Sequence, residues 1–465
     1  MTTWQAIINW LTRYPITDLH TFVQWLSVYP IIGAIAWTTG GLFFRFFYVG
    51  NIGPKDFQPL TPAEQPLITI MVPAHNEEVM IEETIDYLMA EIDYQNYEVL
   101  VCDDGSTDTT PDILARLQVK YPRLRVLHIE ANKGKAHAFN LGLAFAKGEY
   151  ILSNDADTVP EPDALWKYMN FFLEPGGHNI AAVTANMDVQ NRSRIIEKSQ
   201  TVEFSSIVGI IKRSQMGVLG NMYAYSGANT MYRKEAVLDC GGFRQDRATE
   251  DISICWDQQF GGWRAVFAPD IMFYMNVPST LTMLYKQRRR WAKGGTEAWV
   301  TNFRRVGRHP IKNFPKMVMM LDQTFSIIWS FFYVGFTIWL AFRLIYYIAI
   351  GADTQFIHTV DMVFLFSAFI SAVGFWQLLA SLILDNHASK LRYLFFAPAY
   401  MLWYWQMNAI TVVITFIPAV LGVLGVGGKG TWVSPERTKM ARNVPKDSNS
   451  TPSAKNVPAN HAISV

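Results

Sequence analysis

Apolar and polar positions fall into distinct regimes along this chain. Over Phe22 to Phe44, and again over Phe325 to Ile350, Val363 to Leu384 and Leu394 to Leu424, apolar residues run almost without interruption. Each run is long enough to cross a hydrocarbon core of ~30 Å at ~1.5 Å per helical residue. Trp and Tyr near the ends suit the two interfaces. The first run lacks a basic leader and a small-residue cleavage site, so it reads as an anchor rather than a removed signal. Between the first and second runs, short apolar stretches alternate with amphipathic ones. Leu67 to Val72, Tyr97 to Cys102, Arg125 to Ile129 and Glu149 to Leu152 predict strands; Glu78 to Glu91, Asp108 to Tyr121 and Lys135 to Ala146 predict helices. That alternation predicts an α/β domain with a mostly parallel, doubly wound sheet. Pro278 to Trp299 sets Leu281, Leu284, Trp291 and Trp299 among Lys and Arg, the pattern of a helix lying in the headgroup plane.

The expected organisation is therefore a segment 1–64 carrying the membrane helix 22–44, an α/β domain 65–300, interfacial amphipathic helices over 278–320, a C-terminal membrane region 321–427 and a tail 428–465. Residues 51–66, with Pro54, Pro59, Pro62 and Pro66, form the first linker. Lys and Arg set the orientation. Arg45 and Lys55, then Lys390 and Arg392, put residues 51–320 and the 385–392 loop in the cytoplasm and 351–361 outside. A multi-pass protein of the plasma membrane is expected. The tail is basic and should also be cytoplasmic, and its Asn, Ser and Pro content predicts that it is largely disordered. An inside tail requires the last apolar stretch to re-enter or to bend at Pro398 or Pro418, whereas a simple span puts it outside. Both routes stay open.

Composition narrows the chemistry. The chain has 465 residues, 50% hydrophobic and 14% aromatic, with a net charge of +1. A near-zero charge argues against a nucleic-acid partner. Cys102, Cys240 and Cys255 form no CxxC pair and read as reduced, buried, structural residues. Asp155-Ala156-Asp157 ends a strand, and its i, i+2 spacing points both carboxylates the same way. Two hard oxygen ligands suit Mg²⁺ or Mn²⁺ with positions left for water and phosphate. Alone, such a pair is more often a solvated loop. Here the polar sets Ala74–Glu78, Asp103–Ser106 and Asn154–Asp157 all fall at the carboxyl ends of predicted strands, where ligands bind in open α/β sheets. No Gly-x-Gly-x-x-Gly follows the first predicted strand and no Walker loop appears, which disfavours a dehydrogenase or a phosphate-loop ATPase.

Further candidates follow. Lys135 opens a helix after Gly134, where an ammonium beside free N–H groups suits diphosphate oxygens. Thr249-Glu250-Asp251 precedes the helical stretch Ile252 to Gln259; Thr249 can cap it, and acids suit its positive end. Ser226-Gly227 interrupts an aromatic run with Tyr223 and Tyr225. Gln287 lies three residues from Arg290 and four from Trp291, so the three share a helix face.

Residues 65–300 resemble a processive family 2 glycosyltransferase of GT-A fold. The pieces that carry the resemblance are Pro73-Ala74-His75-Asn76-Glu77-Glu78, Asp103-Asp104-Gly105-Ser106-Thr107-Asp108, Asn132-Lys133-Gly134-Lys135-Ala136, Asp155-Ala156-Asp157, Thr249-Glu250-Asp251 and Gln287-Arg288-Arg289-Arg290-Trp291. The bacterial poly-β-1,6-N-acetylglucosamine synthases are similar in Glu203-Phe204-Ser205-Ser206-Ile207, Ile211-Lys212-Arg213-Ser214-Gln215 and Trp432-Val433-Ser434-Pro435. Departures occur at Thr184-Ala185-Asn186-Met187-Asp188, where those enzymes carry Gly-Asn-Pro-Arg, and at 268–272 and 277–279. His75 stands where the family usually has Tyr or Phe.

The resemblance implies a GT-A catalytic domain inserted between transmembrane helices, polymerising N-acetylglucosamine from UDP-N-acetylglucosamine into a β-linked exopolysaccharide of biofilm matrix and exporting it. It implies that His75, Glu77 and Asp104 hold uridine, that Lys135 and Arg290 meet the diphosphate, and that Asp157 ligates Mg²⁺ or Mn²⁺ with Asp155 close to the metal or the donor ribose. It further implies Asp251 as general base beside Glu250, with Ser226, Gly227, Gln287 and Trp291 lining the acceptor site and channel. The growing polysaccharide, the lipid bilayer and a small membrane accessory subunit are the expected partners. Other readings are a synthase using a different UDP-hexose, a non-processive transferase acting on a lipid, and a non-catalytic membrane scaffold.

Overall fold

A computed structural model describes residues 19–48, 57–385 and 387–426. The predictions for residues 1–18, for 49–56, for the tail and for Trp432-Val433-Ser434-Pro435 lie outside the described residues.

The chain opens with the apolar helix α1 (Leu19–Phe43). The α/β unit then follows as β1 (Ile68–Ala74), α2 (Ile81–Ala90), β2 (Tyr97–Asp104), α3 (Thr110–Lys120), β3 (Leu124–Ile129), α4 (Lys135–Phe145), β4 (Tyr150–Asn154) and β5 (Thr158–Pro160). Next come α5 (Ala164–Leu173) and β6 (Ile180–Val189). A long helical rod follows: α6 (Ile195–Phe204), a π-helical stretch (Ser205–Ile210), α7 (Ile211–Ser214) and a second π stretch (Gln215–Leu219). β7 (Asn229–Arg233), α8 (Lys234–Asp239), α9 (Glu250–Phe260) and β8 (Arg264–Met275) complete the unit.

Among the described residues eight strands make one sheet in the order β3-β2-β1-β4-β7-β6-β8-β5. β1 pairs parallel with β2 and β4, β2 with β3, and β6 with β8. The expected mostly parallel sheet is present, but β7 runs antiparallel between β4 and β6, and β5 is an antiparallel edge on β8. Both faces are covered, so β1 and β2 are buried along their whole length and mostly apolar. Ile68, Ile70 and Val72 pack with Ile85, Leu88 and Leu114 on one side. Met71, Leu100 and Cys102 pack with Phe139 and Leu143 on the other. This alternation is the period-two geometry of a strand.

After β8 come the amphipathic helix α10 (Leu281–Gly307), then α11 (Phe314–Ala349), α12 (Asp353–Leu384), a 3₁₀ stretch (His387–Phe396) and α13 (Ala397–Val423). Residues 314–320, expected with the interfacial segment, are the first turns of α11. Four helices, one of them the 390–423 stretch that includes α13, are long and apolar enough to cross a membrane. α13 is one continuous helix containing Pro418, not a stretch broken there. It also runs alongside α10. Tyr404 lies against Arg288 at 5.2 Å, Phe416 against Trp299 at 6.3 Å, and a Cβ added to Gly422 would stand 3.8 Å from Glu297. The first turns of α13 pack on α6 of the α/β unit, and its later turns run along α10.

A buried ionic knot joins that unit to the turn after α12. Asp385 accepts from Arg213 at 3.0 Å, Lys390 at 2.8 Å and the Asn186 amide at 2.6 Å. Burial pushes the Asp385 carboxyl up, but Lys390 and Arg213 outweigh it and hold it below the ordinary range. Asp188 pairs with Arg192 and stands 3.9 Å from Lys390. The sequence departure at 184–188 thus supplies two members of this knot. Cys102 and Cys255 are buried as expected; Cys240 is only half-buried.

Candidate active site

The carboxyl ends of β1, β2 and β4 open onto one side of the sheet, and the polar turns gather there. At the β1–β2 end, Asn76 takes a left-handed backbone, φ 56°, so that its Oδ1 accepts from the Thr107 and Asp108 N–H groups. His75 Nδ1 meets the Asp104 carbonyl at 2.8 Å. The Asp104 carboxylate is fully buried and accepts from the backbone N–H groups of Gly134 at 2.8 Å and Lys133 at 3.2 Å. It therefore ties down the turn that leads into α4. Glu77 is buried beside this cluster, and its N–H donates to Thr110 Oγ1.

The second cluster lies at the end of β4. Lys135 is turned inward and buried rather than exposed. Its Nζ donates to Asp155 at 2.6 Å and to the Gly227 carbonyl at 3.0 Å, and lies 3.2 Å from Glu250. Burial works against its charge, but Asp155, Glu250 and Asp251 prevail and raise its pKa. Gly227 is the hub. Its N–H donates to Asp251 Oδ2 at 2.9 Å, while its carbonyl also accepts from Ser153 Oγ. A Cβ at Gly227 would sit 3.1 Å from both Glu250 Oε1 and Lys135 Nζ and 3.3 Å from Asp251 Oδ2. Only glycine lets three charged groups close on one backbone unit here. Ser226 is held by Thr184 Oγ1 on its N–H and donates to Met187 Sδ.

Asp251 is half-buried at the start of α9, with Oδ1 accepting from the Ile252 N–H at 2.9 Å. Burial, with Glu250 beside it, pushes its pKa up to about 6, while Lys135 and Arg290 pull the other way. Each oxygen keeps a lone pair beyond the backbone bond it accepts. Arg290 is exposed on α10 within electrostatic reach of Asp251; Gln287 and Trp291 are half-buried on the same helix. Thr249 occupies the cap position, but its side chain caps nothing. Its Oγ1 is buried without a hydrogen-bond partner because α10 closes over it at Gly294, where an added Cβ would lie 2.1 Å from that oxygen. Glu297 completes the clamp by accepting from the Ala248 N–H at 2.7 Å. Gly294 and Glu297 were not foreseen, because nothing local marks them; they matter through a helix that packs across the turn.

Asp157 is buried one residue past Ala156, and Thr158 Oγ1 donates to it at 3.2 Å. Among the described residues no group of three or more His, Cys, Asp or Glu is arranged to hold a metal ion. Asp155 gives one carboxylate oxygen to Lys135 at 2.6 Å, so Asp157 and the second oxygen of Asp155 are the atoms that could hold a cation completing its shell with water and ligand oxygens.

Comparison with known proteins places the chain in a family. Residues 69–241 match the model of glycosyl transferase family 2. The chain is 32% identical over 428 residues to the poly-beta-1,6-N-acetyl-D-glucosamine synthase of Staphylococcus aureus (strain COL), covering 90% of this chain and 100% of that one. The chain belongs to the family 2 glycosyltransferases. This glycosyltransferase is also 30% identical over 432 residues to the synthase of the same name from Staphylococcus epidermidis, covering 91% and 100% of the two chains. Its fold is shared with the mannosyltransferase PcManGT from Pyrobaculum calidifontis, solved with GDP-Man and Mn2+, at a TM-score of 0.60 and 19% identity over 86% of this chain and 99% of that one. The resemblance carried by the six motifs is borne out, and with it a membrane-associated transferase of GT-A fold.

Proposed function

We propose that this enzyme polymerises N-acetylglucosamine from UDP-N-acetylglucosamine into a β-linked, β-1,6-joined exopolysaccharide. The observation that carries the reading is the closure of Lys135, Asp155, Glu250 and Asp251 around Gly227, with Arg290 of α10 within electrostatic reach of Asp251. A match over the full length of two synthases with that product supports the sugar and linkage.

Asp251 takes the proton of the acceptor hydroxyl as its oxygen attacks the anomeric carbon. The bond from that carbon to the diphosphate oxygen breaks in the same displacement, so an α-linked donor yields a β-linked product and UDP leaves. Asp251 is suited to this because its pKa of about 6 leaves it ionised, yet basic, near neutral pH. Arg290, exposed on α10, stands as the cation beside the departing diphosphate, whereas Lys135, expected there from the sequence, spends its three N–H donors on Asp155, Glu250 and the Gly227 carbonyl and so holds the carboxylates in place. Mg²⁺ or Mn²⁺ held by Asp157 and Asp155 would supply charge stabilisation to that leaving group. His75, Glu77 and Asp104 form the uridine end, and the Trp291 indole offers an apolar face to the acceptor sugar. The α/β unit lies in the cytoplasm, and the apolar helices guide the polymer outward.

A different UDP-hexose is the second reading. It is favoured by Thr184 and Met187, which replace the related synthases' residues and contact Ser226 directly. Purified protein in lipid, offered a panel of UDP-sugars with Mg²⁺ or Mn²⁺, decides between them. UDP-N-acetylglucosamine should give long β-1,6-linked chains. Polymer from another donor alone selects the second reading, and release of UDP with single-sugar products rejects processivity.

A further inference from the structure

Within Gln287-Arg288-Arg289-Arg290-Trp291 the site described above uses the first, fourth and fifth residues. Arg288 faces the other way and is 3% exposed. Its Nη2 donates to Glu203 Oε2, and Glu203 is equally buried on α6. Its Nη1 donates to Gln287 Oε1 at 2.7 Å. Its guanidinium lies over the Trp291 ring at 4.1 Å and over the Tyr404 ring of α13 at 5.2 Å. One ion pair thus touches both acceptor-side residues and the last apolar helix.

Stability is a poor explanation for it. Removing two charges from water is costly, and apolar residues of the same volume generally serve a buried position as well or better. What a planar guanidinium supplies is orientation. It fixes an amide through a directed hydrogen bond and an indole through face-on contact. Trp291 has two faces. Arg288 covers one, the ring also packs against the apolar core, and the part left exposed by this half-burial is what a sugar would meet.

We propose that Glu203 and Arg288 are positioning residues that hold Trp291 and Gln287 as a rigid acceptor platform keyed to α13 through Tyr404. This rests on the reading of Trp291 as the acceptor-stacking residue. The test uses the full chain in lipid nanodiscs, UDP-N-acetylglucosamine as donor and a short β-1,6-linked N-acetylglucosamine oligosaccharide as acceptor. Acceptor KM, kcat and UDP affinity are measured separately. Arg288→Met should raise acceptor KM by roughly tenfold or more while UDP affinity stays within about twofold. Arg288→Met combined with Trp291→Ala should be no worse than Trp291→Ala alone, because a residue that acts through the indole has nothing left to position. Multiplying effects overturn the proposal, as does a normal acceptor KM in Arg288→Met when Trp291→Ala raises it. A normal acceptor KM in Trp291→Ala itself rejects the underlying reading instead, and the platform with it. If Arg288→Met does not fold, Glu203→Met with Arg288→Met removes both charges at similar volume. An elevated acceptor KM there supports the proposal, and a wild-type value overturns it.

Discussion

Replacing Gly227 by Ala adds a single carbon at the most crowded point of the site. The new Cβ would stand 3.1 Å from Glu250 Oε1, 3.1 Å from Lys135 Nζ and 3.3 Å from Asp251 Oδ2, so all three must give by a few tenths of an ångström. They cannot all move freely, since Lys135 also bonds to Asp155 at 2.6 Å and Asp251 is tied to the Gly227 and Ile252 N–H groups. Overpacking of this kind costs about 1–3 kcal/mol in stability. Since a misplacement of ~1 Å costs ~100-fold in rate, a few tenths should lower kcat by roughly 3–10-fold. UDP release from donor and acceptor reads kcat, while UDP binding reports the uridine end, which should change little. Gly307→Ala is the matched control, because nothing lies within 4 Å of its added Cβ. A folded Gly227→Ala protein with wild-type kcat would refute the reasoning that these groups act from fixed positions.

Other outcomes follow from the same geometry. Asp251 must be ionised to accept a proton, and its pKa is raised to about 6, so kcat/KM should fall about tenfold per pH unit below that value and level off above it. Glu250→Gln should move that midpoint down, because the Glu250 charge pushes it up, and Arg290→Gln should move it up; a midpoint that ignores both variants counts against Asp251 as the base. Lys390→Met leaves Asp385 buried with one partner fewer and should cost about 3–5 kcal/mol, read as a lowered thermal midpoint in detergent, with no shift arguing that the knot is idle. Because α13 stays alongside the amphipathic helix α10 as far as Gly422, Val426→Cys should react with a membrane-impermeant maleimide from the same side as Val119→Cys and from the side opposite to Thr354→Cys. Labelling of Val426→Cys together with Thr354→Cys would mean that α13 crosses.

The first half of the sheet was legible because its signals are local. β1 to β4 are largely apolar runs that end in, or are followed within three residues by, an acid, and each helix between them has its own periodicity. The later strands were not read. β7 is five residues long and takes its place by antiparallel pairing with β4 from a distant part of the chain, so no window of sequence announces it. The same distinction holds at the site. Asp155, Asp157, Glu250 and Asp251 stand out as acids at element ends. The inward turn of Lys135, the closure of α10 on Thr249 and the pairing of Glu203 with Arg288 depend on contacts 20 to 92 residues apart in sequence, and only the packed chain brings them together. The route of α13 was undecided for a related reason: hydropathy measures length and apolarity, and gives no account of what a helix lies beside.

Asp385 follows Arg213 by 172 residues, and Lys390 comes later still. A ribosome making this enzyme has therefore completed every strand of the sheet before the partners of Arg213 and Asn186 exist. Until the turn after α12 emerges, an arginine destined for the interior has no counter-ion, and that face of the nascent domain stays wet. Joining the knot is then a late step of biogenesis, and it ties maturation of the soluble part to arrival of the final hydrophobic hairpin. A chain truncated before Asp385 should carry a whole set of strands and still be handled by the cell as unfinished.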